Sequence, residues 1–193
     1  MNNALNICLK KNVLNKEEIE KILNCVKNIE VWETGGVSSF WENRVLSAKN
    51  IYDNYDKDVG SLLYETREKI AFIIKEFYSL EEVYSDIFQV IRWFPESSQL
   101  PHQDDMKNSE NTEWFHHRDY GAILYLNNDF YGGETYYPNS NIKVIPEPGK
   151  LAVHPGDELH THGVATIKNQ IRYTLASFWT KNKEYADGWT IHK

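Results

Sequence analysis

Two cysteines in 193 residues, Cys8 and Cys25, are too few for a disulfide framework, and both read as buried thiols. No apolar run approaches the roughly 20 residues that cross a bilayer as a helix. The first residues, Met1-Asn-Asn-Ala-Leu-Asn6, lack a basic-then-apolar leader. The expectation is a soluble, cytoplasmic protein with no membrane partner. Positive charge is also scarce: 21 Lys and Arg stand against 28 Asp and Glu, a net charge of -7, with no basic cluster. Non-specific nucleic-acid binding needs such clusters to neutralise phosphates, so it is excluded as a role. Internal repeats, low-complexity tracts and linkers are missing as well, and 1–193 reads as a single domain.

What is present divides the chain near residue 86. Upstream lies a short strand at 4–10 and then a helix over 16–28. Asn15 is its cap, Glu17 and Glu18 suit its first turn, and Ile19, Ile22, Leu23 and Val26 share one face. A second helix over 58–78 places Leu62, Leu63, Ile70, Ile73, Ile74 and Phe77 on one side. From residue 87 the pattern changes to short strands, expected at 87–94, 99–104, 120–127, 133–137, 142–145, 150–154, 160–165 and 171–180. Turn residues separate them, among them Tyr131-Gly-Gly133, where the glycines make a hairpin bend, and Pro146-Glu-Pro-Gly149. The fold class is mainly β with N-terminal helices (α+β). A double-stranded β-helix, or jelly roll, at 87–180 is braced by two or more helices in 1–86.

Chemistry concentrates in His102-Gln-Asp104. On an extended strand these two side chains share a face with Cα atoms roughly 6.6 Å apart, close enough to converge on one metal ion, while Asp105 points to the opposite face. A third donor must come from another strand. His162 competes here with His160 and His154, and alternation puts His160 on the same face as His162. His116 and His117 lack a partner at strand spacing and are not expected to be ligands. Two histidines with one carboxylate leave about three open positions on an octahedral ion, the arrangement of non-haem Fe(II) oxygenases. Arg172 shares a strand face with Thr174, Ala176 and Phe178, so an inward guanidinium there needs an anionic partner. The irregular stretch 105–119 reads as a lid over the site, with Trp114 or Phe115 closing on substrate, or as a plain surface loop.

Four blocks in order give this chain a family likeness. They are Phe88-Gln-Val-Ile-Arg-Trp-Phe-Pro95, Pro101-His-Gln-Asp104, Leu124-Tyr-Leu-Asn127 with Gly132-Gly-Glu-Thr135, and His162-Gly-Val164 with Arg172-Tyr173. Over roughly 87–179 the chain resembles the 2-oxoglutarate/Fe(II)-dependent dioxygenases, specifically their prolyl 4-hydroxylase-like branch. The Gly-Val after His162 and the ten-residue step to Arg172 match that family and favour His162 over its neighbours. The resemblance implies Fe(II) on His102, Asp104 and His162, with 2-oxoglutarate seated on Arg172 and O2 as oxidant. Ascorbate is expected to support turnover. Tyr125 either meets the co-substrate carboxylate or fills the core. The implied reaction hydroxylates a peptidyl proline or another protein residue, releasing succinate and CO2. A small-molecule substrate (a free amino acid, or a lipid or sugar precursor) and a non-enzymatic ligand-binding jelly roll are the alternatives. One departure stands out. Relatives carry a tyrosine before His-x-Asp, whereas this chain offers Trp93, Phe94 and Gln99.

Overall fold

The computed structural model describes residues 6–35, 39–105 and 115–191. In chain order the elements begin with β1 (Cys8–Lys10), α1 (Lys16–Lys27), β2 (Val45–Ser47), α2 (Ala48–Asn50, running into a π turn at Ile51–Tyr55) and α3 (Lys57–Tyr78). Then follow β3 (Tyr84–Trp93), β4 (Gln99–His102), β5 (Tyr120–Tyr125), β6 (Thr135–Tyr137) and β7 (Ile142–Val144). The chain closes with β8 (Leu151–Pro155), β9 (His162–Val164) and β10 (Arg172–Thr180).

The helices start where local chemistry places them. Asn15 accepts from the Glu18 N–H at 2.9 Å, and the Glu18 carboxylate accepts from the Asn15 N–H at 2.7 Å, a reciprocal capping box. The Asp56 carboxylate accepts from the N–H groups of Asp58 and Val59 to start α3, and Ser79 ends it in the left-handed region at φ 54°. In the last turn of α3 it is Tyr78, not Phe77, that turns inward. Its ring lies 4.5 Å from Tyr120 and its hydroxyl donates to the Asn6 carbonyl, while Phe77 stays exposed. The short helix and π turn at 48–55 add a helical segment to the two expected, with Ala48 and Ile51 buried in the core. The segment is set by Ser47, whose hydroxyl caps Asn50, and by Glu33, which accepts from the Asn50 amide.

Two antiparallel sheets form the jelly roll. The larger has the order β1-β8-β5-β10-β3-β2 and the smaller β4-β9-β6-β7. Period-two alternation divides the larger sheet cleanly. Phe88, Val90, Ala122, Leu124, Leu151, Val153, Leu175 and Trp179 pack on one side against Ile19, Ile22 and Val26 of α1 and Leu63, Ile70 and Ile74 of α3. The other face carries Ile91, Trp93, Tyr125, Ala152 and Ala176, which meet Val164, Tyr137 and Val144 of the smaller sheet. The helices thus seal one face of the large sheet, and its other face is free to wall a cavity. Cys8 is buried and Cys25 half-buried; both are free thiols. No helix among the described residues is long and apolar enough to cross a membrane.

Several strands are shorter than their apolar patterns suggest, and two of the differences matter for the site. β4 stops at His102 rather than 104, and β9 starts at His162 rather than 160. The expected strand at 4–10 is β1 at Cys8–Lys10; residues 4 and 5 lie outside the described residues.

Candidate metal centre

The last residue of β4 and the first of β9 are cross-strand partners: His102 faces His162, with ring centroids 4.5 Å apart. Beyond His102 the chain bends. The Asp105 N–H donates to the Gly156 carbonyl at 3.1 Å, which fixes the bend against the end of β8. The bend, rather than strand alternation, swings Asp104 in toward the two rings. Its Oδ1 lies 3.8 Å from His102 Nε2 and 3.8 Å from His162 Nε2. The three donor atoms fall within 4.8 Å of one another, the one such group among the described residues.

Ring orientation follows from the other imidazole nitrogen. His102 Nδ1 donates to the Leu100 carbonyl at 3.1 Å, and His162 Nδ1 to the His160 carbonyl at 3.1 Å. Both Nε2 lone pairs are therefore left facing Asp104, the tautomer that metal ligation requires. Burial first, and then the neighbouring His154 and His102, pull the His162 pKa down to about 3 despite Asp104, so the ring is neutral. Burial alone would raise the Asp104 pKa. His162, the hydrogen bond from His154, and His102 outweigh it and hold the carboxyl well below the usual carboxylate range. One carboxylate and two neutral imidazoles converging on a point suit a divalent iron ion. His102, a third exposed, lies on the open side; Asp104 and His162 are buried.

The competing histidines are placed elsewhere. His160 ends a 3₁₀ turn at Glu158–His160, with Nδ1 held by Asp157 Oδ1 at 2.6 Å, because Asp157 caps that turn and breaks the expected strand. Alternation therefore does not carry His160 to the face of His162. His117 pairs with Asp86 at 3.3 Å and stacks on Tyr185, away from the three donors. His154 does adjoin the site, though behind it. Its Nε2 donates to Asp104 Oδ2 at 3.0 Å, and its Nδ1 bonds the Tyr137 hydroxyl at 2.7 Å.

Arg172 opens β10 opposite Trp93 of β3 and is 1% exposed. Its guanidinium stands 5.3 Å from the Trp93 ring and 5.2 Å from the Tyr125 ring. The Tyr125 hydroxyl accepts from it and also bonds Thr135 Oγ1 at 2.7 Å. Its Nε and Nη2 have no partner, and among the described residues no carboxylate pairs with it. Burial lowers the Arg172 pKa from its ordinary value. A cavity of about 550 Å³ is lined by His102, Asp104, His162 and Arg172 together. Orphaned cationic donors in the wall of a cavity call for an anion that can be bound bidentately, and a carboxylate fits. Trp93 Nε1, buried on the same wall, also lacks a partner. Gly132 and Gly133, at φ 72° and 69°, make the bend before β6. A Cβ on Gly133 would lie 3.0 Å from Arg172 Cδ.

Phe115 also lines the cavity, under Arg118, whose guanidinium is 4.2 Å from its ring and bonds Asp86 at 2.9 Å. Trp114 and the remainder of the expected lid, 106–114, lie outside the described residues. Reasoning from spacing alone missed three features: His154 as the partner of Asp104, the orphaned Trp93 N–H, and Gly121 beneath the carboxylate. The alternation of Ala152 and His154 on β8 was the available signal for the first.

Residues 88–180 match the model of the 2OG-Fe(II) oxygenase superfamily. The chain is 26% identical over 148 residues to human prolyl 3-hydroxylase 1, covering 65% of this chain and 20% of that protein. It thus spans about a fifth of the length of that relative. Its fold is shared with a viral collagen prolyl hydroxylase of Paramecium bursaria chlorella virus-1, solved as a 2OG complex (TM-score 0.67, 14% identity, 92% of this chain and 96% of that one). It is shared equally with a Trichoplax adhaerens prolyl hydroxylase bound to a fragment of the hypoxia-inducible factor oxygen degradation domain (TM-score 0.67, 18% identity, 97% and 89%).

Proposed function

We propose that this chain, whose residues 88–180 match the 2OG-Fe(II) oxygenase superfamily, is a prolyl 4-hydroxylase-like, Fe(II)- and 2-oxoglutarate-dependent hydroxylase of peptidyl proline or another protein residue. One observation carries the co-substrate assignment: Arg172 is a fully buried guanidinium with two unpartnered nitrogens, in the same cavity as two imidazoles and a carboxylate.

His102 Nε2, Asp104 Oδ1 and His162 Nε2 would hold the iron. When bound with 2-oxoglutarate and O2, the iron supplies the oxidation that hydroxylates a C–H bond and releases succinate and CO2. The protein contributes geometry and a dry wall. The unpaired nitrogens of Arg172 take the distal carboxylate of the co-substrate, and Tyr125, tied to Thr135, holds the guanidinium plane. Trp93, Ile91, Ala176 and Val164 keep water from that end of the cavity. His102, on the open side, marks where substrate enters. Ascorbate supports turnover by keeping the iron reduced. A peptide substrate is carried over from the relatives, which are prolyl hydroxylases, one of them solved with a peptide.

The test is mass spectrometry of a proline-containing peptide library after incubation with the protein, Fe(II), ascorbate and 2-oxoglutarate. Peptides gaining one oxygen atom, with matching succinate, are expected, and Asp104→Ala abolishes both. Succinate formation that persists undiminished in Asp104→Ala, or none from the wild type, rejects the assignment.

A further inference from the structure

We propose that His154, braced by Tyr137, is a positioning residue for the metal site: it locks the Asp104 carboxylate so that Oδ1 alone is offered to the ion. This rests on the reading of His102, Asp104 and His162 as metal ligands.

His154 is held on both ring nitrogens, by Asp104 on one side and Tyr137 on the other. Asp104 Oδ2 can only accept, so the proton lies on His154 Nε2, 3.0 Å away. On the other side of the ring, His154 Nδ1 bonds the Tyr137 hydroxyl at 2.7 Å. His154 is 1% exposed and Tyr137 is fully buried, so neither bond competes with water. A carboxylate can grip a cation through one oxygen or two. With Oδ2 engaged by a fixed donor, Asp104 occupies a single position on the ion and leaves the remaining ones for co-substrate and oxidant. The same pair steadies the other buried ligand, since the His154 and Tyr137 rings lie 4.2 Å and 5.7 Å from that of His162.

The neighbouring strand has been cleared for this contact. Gly121 on β5 is the cross-strand partner of His154. A Cβ there would sit 2.0 Å from Asp104 Oδ2 and 2.7 Å from His154 Nε2, so only glycine lets carboxylate and imidazole meet. A histidine that merely filled the core would not need a side-chain-free partner at the point where its nitrogen emerges.

The experiment measures Mn(II) affinity of the metal-free full-length protein by calorimetry, for wild type, His154→Phe, His154→Gln and Tyr137→Phe. His154→Phe is expected to weaken binding about 10- to 100-fold, the usual effect of losing an outer-shell partner. His154→Gln, which keeps an N–H donor, recovers most of that loss. Tyr137→Phe weakens binding roughly 2- to 10-fold, the worth of one neutral hydrogen bond. The visible spectrum of the Co(II)-loaded protein should change in His154→Phe and return in His154→Gln, which a packing role would not produce. Should His154→Phe fail to fold, Tyr137→Phe and His154→Gln carry the comparison. Wild-type affinity in Tyr137→Phe and in folded His154→Phe, with unchanged Co(II) spectra, overturns the positioning role alone. Wild-type protein that binds no Mn(II), or binds it equally after Asp104→Ala, overturns the metal reading and this proposal with it.

Discussion

Replacing Arg172 by Met separates a guanidinium kept for a ligand from one kept for the fold. In the metal-free protein the side chain is buried, two of its nitrogens are unpartnered, and no carboxylate pairs with it among the described residues. Leaving such groups unpaired costs about 1–3 kcal/mol for each, at the upper end for a charged group, or roughly 4–6 kcal/mol for the two. Its contacts over the Trp93 and Tyr125 rings, desolvated as they are, return about 2 kcal/mol each. The two nearly cancel, so Arg172→Met should change the unfolding free energy by no more than about 2 kcal/mol in either direction. Affinity for 2-oxoglutarate should behave quite differently. Two charge-assisted hydrogen bonds at about 1.5 kcal/mol each amount to about 3 kcal/mol, a loss of at least about 100-fold. Urea unfolding without ligand gives the first quantity, and calorimetric titration of the Mn(II)-loaded protein with 2-oxoglutarate gives the second. A structural ion pair would show the reverse: a stability loss of about 3–5 kcal/mol, as when a buried pair is broken, with co-substrate affinity intact. That outcome would refute the reasoning.

Two further outcomes are expected. The metal-free protein should lose stability in acid, because the folded His162 pKa of about 3 lies below its unfolded value near 6.5. Between those values the unfolded chain binds the extra proton, so stability is full above pH 6.5 and falls by up to about 1.4 kcal/mol per pH unit below it. Asp104, depressed as well, adds its own loss at still lower pH. Urea unfolding of wild type and His162→Leu from pH 7 to 4 should give a flatter profile in the variant; identical slopes would exclude His162 as the source. Gly121→Ala should destabilise the fold by about 1–3 kcal/mol, as overpacking does, and weaken Mn(II) binding by displacing Asp104 Oδ2. An alanine variant with wild-type melting and affinity would show that the carboxylate has room to move.

The scaffold was largely written in short-range signals. Asn15 with Glu18 and the Ile19, Ile22, Val26 stripe define α1 without help from distant residues, and the alternation in 171–180 places Arg172 opposite in sense to Tyr173 and Leu175. The site was legible as a set of residue types but not as a geometry. Strand spacing brought His102 and Asp104 together on paper. In the fold, β4 ends first, and a bend tied to Gly156 turns the carboxylate inward, a hydrogen bond across fifty residues that no local pattern announces. His160 misled for a similar reason: Asp157 captures its N–H and its ring, so the backbone curls where alternation assumed extension. His154 was weighed as a rival ligand because composition cannot distinguish an imidazole that touches a metal from one that holds the group touching it. The segment 48–55 places Ala48, Ile51 and Tyr52 at helical spacing but is too short for that pattern to stand out, and its turns depend on Glu33 reaching across to Asn50.

Strand β10 is read on both sides, and that makes it intolerant of slippage. Tyr173, Leu175 and Trp179 anchor it to the helical layer, while Arg172, Thr174 and Ala176 look into the cavity. Deleting a single residue between Leu175 and Arg172 would invert everything upstream of the cut. The charge would be driven into the oily layer beneath α1, and Ile171 would take its position on the cavity face. The one irregularity in its pairing with β3, at Phe178/Trp179, lies at the far end from Arg172, so the segment that sets the sense of the guanidinium has no slack to absorb such an error.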